Sequence, residues 1–249
     1  MKRSPHSDAP IRVQVVVAGF NRSLSSTIHS IYEKVIEPAR AFDADTQVSF
    51  VLSTTLGSIN NPRSGELGTP EQQMPVGYAH DSLLEWDQQD IDIATERQFI
   101  AAKRNGNPWP DDDFLSLRNV VRFLYLLDRA YDTVDRRADW VVFMRPDLEC
   151  LDALDYSSHL SRPQRSIVTP SWHQFGGLND RVAILPKRAV RAYFRRFRRI
   201  NAFLKTGQPL HAETFLAFCL RDFTVAPVMT ERFQRIRVGG RPHLEDFSA

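Results

Sequence analysis

Two acids near the middle of the chain, Asp147 and Glu149, stand two apart directly after Arg145-Pro146. Carboxylates at that spacing can share a hard divalent cation, Mn2+ or Mg2+, which usually enters a site together with substrate phosphates. Other groups could do chemistry as well. Ala18-Gly19 closes an apolar run and leads into Phe20-Asn21-Arg22-Ser23, a tight connection ahead of a helix whose N-terminal amides could face an anion. Gly176-Gly177 lets backbone approach a ligand, Asn179 and Asp180 offer paired hydrogen bonds to vicinal hydroxyls, and Trp172 or Phe175 can stack on a sugar face. Glu213 opens an apolar helix, where it either reaches a cleft edge or caps its own helix. Arg232, Arg235 and Arg237 alternate near the end of the chain and could clamp a diphosphate. Each feature has a plainer alternative: solvated acids at a strand-to-turn junction, a turn glycine, or local Asx turns.

The elements that must position these groups follow from apolar periodicity. Trp140 to Met144 is a continuous apolar run suited to a central strand covered on both faces. Pro146 has no backbone donor and ends the ladder, so Asp147 and Glu149 are predicted on the loop just past the strand's carboxyl end, where open α/β sheets bind ligands. Ile11 to Val17 predicts a first strand, and Ser23 caps a helix from Leu24 to about Glu37 along Leu24, Ile28, Ile31 and Val35. Gln47 to Leu52 is a second strand. Ser53 to about Gly77 is rich in Gly, Pro, Asn and Ser without a period, which predicts a long loop, a substrate lid being one option. A helix follows over Ile93 to Lys103. Asp111, Asp112 and Asp113 read as a cap and first-turn partners for a helix from Phe114 to about Tyr131. Ser166 to Thr169, Val182 to Leu185 and Phe223 to Met229 are further strands. Lys187 to Lys205 carries eight Lys or Arg and no acid. Its apolar residues keep helical spacing while Arg191, Arg195, Arg198 and Arg199 point elsewhere, which fits either a solvated basic face or peripheral contact with an anionic membrane. Strands separated by helices predict an α/β fold with a mostly parallel central sheet flanked by helices.

At 249 residues the chain suits one large domain, expected over 11–249 behind a flexible 1–10. A net charge of +2 is too small to point to nucleic acid as a partner. Cys150 and Cys219 lack metal-type spacing and read as two reduced thiols or one bridge, with a reducing compartment favoured. Met1 to Pro10 is polar, and no run approaches a membrane span, so a cytoplasmic location is expected, with the inner face of the membrane as a place of contact through 187–205. The absence of a Gly-rich dinucleotide pattern and of a phosphate-loop lysine disfavours a nicotinamide enzyme or a nucleoside triphosphatase.

The order of these features resembles the GT-A-fold glycosyltransferases: the Gly-Phe-Asn-Arg turn after the first strand, the strand ending in Arg145-Pro146-Asp147, Gly177-Leu178-Asn179-Asp180-Arg181, and the late His211-Ala212-Glu213-Thr214-Phe215-Leu216 helix. It is most similar to bacterial, viral and plant relatives that carry Arg-Pro-Asp in place of the usual Asp-x-Asp motif. The resemblance implies a GT-A-like, Rossmann-like domain. It also implies transfer of a sugar from a nucleotide-diphosphate donor, UDP-linked by default, to a hydroxyl of a glycan or lipid-linked glycan acceptor in surface polysaccharide biosynthesis. Laid on these residues, Ala18, Gly19, Asn21 and Arg22 would lie by the base and ribose, and Asp147 would hold the cation. Arg145, standing where the family has an acid, could supply part of the charge neutralisation itself. Asn179 and Asp180 would grip sugar hydroxyls. Glu213 would be the catalytic base of an inverting enzyme, with Asp180 the second candidate, and Arg235 or Arg237 would help the pyrophosphate leave. The alternative from another class is a non-catalytic nucleotide- or glycan-binding module that kept the fold.

Overall fold

The computed structural model describes residues 11–54, 58–61, 66–70, 73–109, 112–161 and 166–248. Its strands are Val13–Phe20 (β1), Gln47–Thr54 (β2), Ile59–Asn61 (β3), Glu66–Gly68 (β4), Ser82–Asp87 (β5), Trp140–Met144 (β6), Leu148–Cys150 (β7), Ser166–Pro170 (β8), Val182–Pro186 (β9), Thr224–Met229 (β10), Phe233–Arg237 (β11) and Arg241–Pro242 (β12). Its α-helices are Leu24–Ile31 (α1), Glu37–Phe42 (α2), Gln88–Arg104 (α3), Leu115–Ala130 (α4), Tyr156–Leu160 (α5), Lys187–Phe194 (α6), Ile200–Leu204 (α7) and Ala212–Leu220 (α8).

Seven strands form one sheet in the order β10-β8-β9-β6-β1-β2-β5. β9 runs antiparallel to both neighbours, while the β5, β2, β1 and β6 pairings and the β8–β10 pairing are parallel. The fold is thus the α/β class that the alternation of strands and helices predicts. β1 and β6 are buried throughout, as continuous apolar runs require in a sheet covered on both faces. Alternate residues divide between the faces. Val13, Val15 and Val17 of β1 join Val142 and Met144 of β6 against Leu24, Ile28 and Ile31 of α1. Val16 and Ala18 join Val141 and Phe143 against Leu126 and Leu127 of α4 and Tyr193 and Phe194 of α6. Each such side chain contributes about 1.5–3 kcal/mol by leaving water.

Several elements differ from the sequence prediction for identifiable reasons. The first helical run continues to Phe42 through a π-helical turn over Tyr32–Ile36, with Pro38 in the first turn of α2. Proline has no N–H to return to the Lys34 carbonyl. That carbonyl accepts from Leu154 N at 2.8 Å instead, which ties the segment before α5 to the helix. The stretch predicted as a long loop contains the β3–β4 hairpin, and β5 follows it as an edge strand that is only partly buried. Ser23 does not cap α1; its Oγ donates to the Ile236 carbonyl at 2.9 Å and so ties the first turn to β11. Asp112 does cap α4, accepting from Ser116 N at 3.0 Å, while Asp111 lies outside the described residues. The 1–10 segment lies outside them too.

The basic segment is broken into α6, a 3-10 turn over Arg195–Arg199 and α7. Its arginines divide: Arg191 and Arg198 are exposed, while Arg195 and Arg199 are half-buried and Arg196 is buried. Arg195 binds Asp128 at 3.0 Å and Asp132 at 2.5 Å, Arg198 binds Asp128 at 2.9 Å, and Arg199 donates to the Cys219 carbonyl at 2.8 Å. Asp128 on α4 is 2% exposed. Burial works to raise its pKa, but hydrogen bonds from Arg198, Arg129 and Arg195 outweigh this and hold it below its ordinary value. Removing one partner of a buried ionic group typically costs about 3–5 kcal/mol. Asp128→Ala is therefore expected to lose stability on that scale in urea titration, and an unchanged midpoint would remove Asp128 as the anchor of this segment.

Cys150 and Cys219 are separate, buried free thiols, so the bridge alternative does not hold. Among the described residues no helix is long and apolar enough to cross a membrane.

Candidate active site

After β1 the chain moves to β2 and β5 on one side, then returns to β6 on the other. Between strands whose connections diverge in this way a crevice opens at their carboxyl ends. Gly19 allows the close approach there: its φ is +152°, and a Cβ on it would lie 2.8 Å from Pro146 Cδ. Because β9 runs opposite to β8, the connection between them lies at this same end of the sheet and brings Asp180 and Arg181 to it. β7 leaves the main sheet to pair with β11, placing Arg235 opposite Leu148, while Ile236 N donates to the Asp147 carbonyl at 2.9 Å.

Two adjoining hollows result, and both are lined by Trp109, Arg145, Asp180, Arg235 and Arg237. The first continues to Gly19, Arg22, Glu66 and Asn119. The second, about 310 Å³, continues to Phe175, Arg181, His211, Glu213 and His243.

Five guanidinium groups converge on this cleft: Arg22, Arg145, Arg181, Arg235 and Arg237. Four have a carboxylate. Arg145 grips both oxygens of Asp147 at 2.9 and 2.6 Å. Arg22 and Arg237 reach Glu66 at 2.9 and 3.6 Å, and Arg181 reaches Glu245 at 2.9 Å. Arg235 makes no ion pair among the described residues, and its buried Nε lacks a hydrogen-bond partner. Burial, with Arg181 and Arg145 close by, brings its pKa down to about 9. A guanidinium ordinarily stays charged under all physiological conditions, so the five arginines match the five carboxylates Asp147, Glu66, Glu245, Asp180 and Glu213 only when Glu213 is ionised.

The same geometry does not suit a cation at Asp147. The carboxylate is 3% exposed and both its oxygens lie in the fork of Arg145. Burial raises its pKa, but Arg145, Arg235 and Arg22 hold it well below the usual carboxylate range. Glu149 is not on a loop beside it but on β7, opposite Gln234. Among the described residues no group of three or more His, Cys, Asp or Glu could hold a metal ion. A hard cation needs oxygen donors that a fixed guanidinium has here already engaged.

Glu213 sits in the first turn of α8, its Oε2 3.1 Å from His211 Nδ1. Its backbone is fixed from the other side of the cleft: Leu178 N donates to the Glu213 carbonyl at 3.1 Å, and Gly177 packs so closely that a Cβ would fall 2.1 Å from that oxygen. Burial, followed by the charge of Asp180, pushes the Glu213 carboxyl up to about 8. Two neighbouring carboxyls, one held near neutrality, form an acid–base arrangement.

Aromatic groups stand around the second hollow. Trp109 lies with its ring centroid 5.1 Å from that of His211. Phe175 is 59% exposed and, like His173, has positive φ, so a strained turn holds an apolar ring at the surface. Trp172, the other stacking candidate, is buried with its indole N–H donated to the Glu231 carbonyl.

Of the residues singled out in the sequence, Gly19, Arg22, Arg145, Asp180, Glu213, Arg235 and Arg237 line the cleft. Asp147 lies behind Arg145. Ala18 is core, packed toward α4. Asn21 and Asn179 are buried scaffold: the first donates to the Gln73 carbonyl at 3.1 Å, and the second bridges the Trp172 carbonyl at 2.8 Å and Arg181 N at 3.0 Å. The Asn179 amide holds its own turn, while the Asn21 amide ties the turn after β1 to Gln73 and its buried Oδ1 has no hydrogen-bond partner among the described residues. The sequence reading missed Arg181, Glu66, Trp109, Asn119 and Glu245. A signal existed for Asn119, which shares a helical face with Ser116 and Phe123 and interrupts the apolar pattern of α4 with polar groups.

No protein-family description and no curated protein matches the chain. Among solved structures, the apo form of mouse xyloside xylosyltransferase 1 aligns over 87% of this chain and 84% of its own, at a TM-score of 0.44 and 8% sequence identity.

Proposed function

We propose that the protein is a glycosyltransferase that moves a sugar from a nucleotide-diphosphate donor to a hydroxyl of a glycan acceptor. The observation that carries it is the meeting, in one crevice at the strand carboxyl ends, of an arginine cluster, whose Arg235 makes no ion pair among the described residues, with the Asp180–Glu213 carboxyl pair. Cationic groups fixed before the reaction stabilise charge as it develops on a departing diphosphate, commonly the largest catalytic contribution. Glu213 takes the acceptor hydroxyl proton as that oxygen bonds to the anomeric carbon and the bond to the diphosphate breaks. This gives inversion at that carbon. Asp180 keeps Glu213 basic and contacts sugar hydroxyls, and Trp109 and Phe175 offer faces to the rings. A UDP-sugar is the default donor, and a lipid-linked glycan of surface polysaccharide biosynthesis the default acceptor. Peripheral membrane contact through 187–205 would rest on its exposed Lys187, Arg191 and Arg198, since Arg195 and Arg199 are engaged within the fold.

The test is release of nucleoside diphosphate from a panel of UDP-, GDP- and dTDP-sugars, with and without oligosaccharide acceptors. Turnover of one donor supports the reading. Donor binding without turnover would make the protein a binding module, and neither binding nor turnover would end the proposal.

A further inference from the structure

The usual way to neutralise a nucleotide diphosphate is a divalent cation on clustered acids, and among the described residues no three acids, histidines or cysteines cluster so as to hold one. It has guanidinium groups instead. Arg22 comes from the turn after β1, Arg145 from the end of β6, and Arg235 and Arg237 from one face of β11. Planar forks that approach from different elements can bind several oxygens of a diphosphate at once, each in the bidentate geometry that suits carboxylate and phosphate equally.

The Glu66 carboxylate supplies a second observation. Its side chain is 1% exposed, it comes from the β3–β4 hairpin, and a single oxygen serves both Arg22 at 2.9 Å and Arg237 at 3.6 Å. The buried Nε atoms of Arg22, Arg235 and Arg237 have no hydrogen-bond partner among the described residues. Buried donors left in this condition ordinarily carry a cost of about 1–3 kcal/mol each, which an anion of greater reach would recover. One carboxylate therefore stands where more acceptor oxygens would fit.

We infer that the cluster Arg22, Arg145, Arg235 and Arg237 binds the ligand's diphosphate without a divalent cation, and that Glu66 is the internal counter-ion the diphosphate replaces. The inference rests on the nucleotide-sugar reading and goes beyond it in assigning how the phosphates are held. Asp147 on this account is a positioning residue that fixes the Arg145 fork and ligates no metal.

Calorimetric titration of the full chain with inorganic pyrophosphate, UDP, GDP and dTDP, each in EDTA and in Mg2+ or Mn2+, tests it. The expected result is binding in EDTA within about threefold of the affinity in metal, a difference under roughly 0.7 kcal/mol. In EDTA, Arg235→Gln weakens binding roughly tenfold or more, the scale of a charged hydrogen bond, and Arg237→Gln does the same, so that the test survives misfolding of either variant. Glu66→Gln tightens binding by about threefold or more, since an amide competes less well for two arginines. Thermal melts confirm that each variant is folded. Binding that requires metal overturns the inference and leaves the nucleotide-sugar reading intact. Weaker or unchanged binding in folded Glu66→Gln overturns the counter-ion role. No binding of any probe in either condition overturns both the inference and the reading beneath it.

Discussion

Glu213→Gln is expected to lower the turnover of sugar transfer by roughly 10²–10⁴-fold, the usual contribution of a positioned general base, while donor affinity stays close to that of the native chain. The isosteric amide fills the same space and contacts the same helix opening, but it cannot accept a proton. Its pH signature separates this role from a structural one. With the Glu213 carboxyl at about 8, kcat/KM of the native protein should fall tenfold per unit as pH drops below that value, and the variant's residual rate should show no such limb. Stability moves the opposite way. Relative to an ordinary value of 4.5, the folded-state pKa is raised, so the native fold is favoured with Glu213 protonated and loses that advantage as pH rises from 4.5 through about 8. The amide never ionises, so thermal melts should show the variant gaining on the native protein from about pH 5 to about pH 8 and no further above that. Unchanged turnover in Glu213→Gln would remove the base assignment, and Asp180 would be tested next.

Gly177→Ala should be nearly as damaging to activity without touching any reacting group. The new methyl would meet backbone, 2.1 Å from the Glu213 carbonyl oxygen and 2.4 Å from Thr214 N, and backbone cannot rotate away as a side chain tip can. The connection between β8 and β9 and the first turn of α8 must then separate, which costs about 1–3 kcal/mol as overpacking and displaces Glu213 from Asp180. A misplacement of about 1 Å can cost roughly 10²-fold in rate. Gly176 provides the control. Its φ is +75°, and a Cβ there meets nothing within 4 Å, so Gly176→Ala carries only the local strain of a left-handed residue, about 1–2 kcal/mol. Steady-state kinetics beside thermal melts of the pair would settle the matter. Equal rate losses in both would mean that the connection, and not its contact with α8, governs activity.

What could be read from the sequence follows burial. β1 and β6 were legible because strands covered on both faces leave continuous apolar runs, and their carboxyl ends followed directly from Gly19 and Pro146. β5 was not, because an edge strand with Glu85 and Trp86 half outside carries no such run. The β3–β4 hairpin was hidden for the same reason, and with it Glu66. The π turn before Pro38 gave no periodic signal. Within the site, the alternation of Arg235 and Arg237 puts both side chains on the cleft. The Arg145 fork on Asp147 was not legible for a local reason. Sequence spacing cannot tell an acid that awaits a metal from one gripped by the arginine two residues before it. The burial of Asn21 and Asn179 was hidden in a similar way, because a buried amide that bonds to backbone and an exposed one are the same letter.

The lone reversed strand, β9, sets a discrete ruler for this cleft. β9 and β6 are buried at every position, and a slip of two residues between them would return each side chain to its own face. Their apolar pattern is therefore degenerate in steps of about 6.8 Å. In the register seen here the ladder is closed beyond both ends of the core strands, where Arg145 N donates to the Arg181 carbonyl at 3.1 Å and Lys187 N to the Asp139 carbonyl at 2.8 Å. The distance from Asp180 to the arginines of the other strands is thus fixed by the two ends of one ladder, and related chains could change that distance by a whole step while keeping the same core.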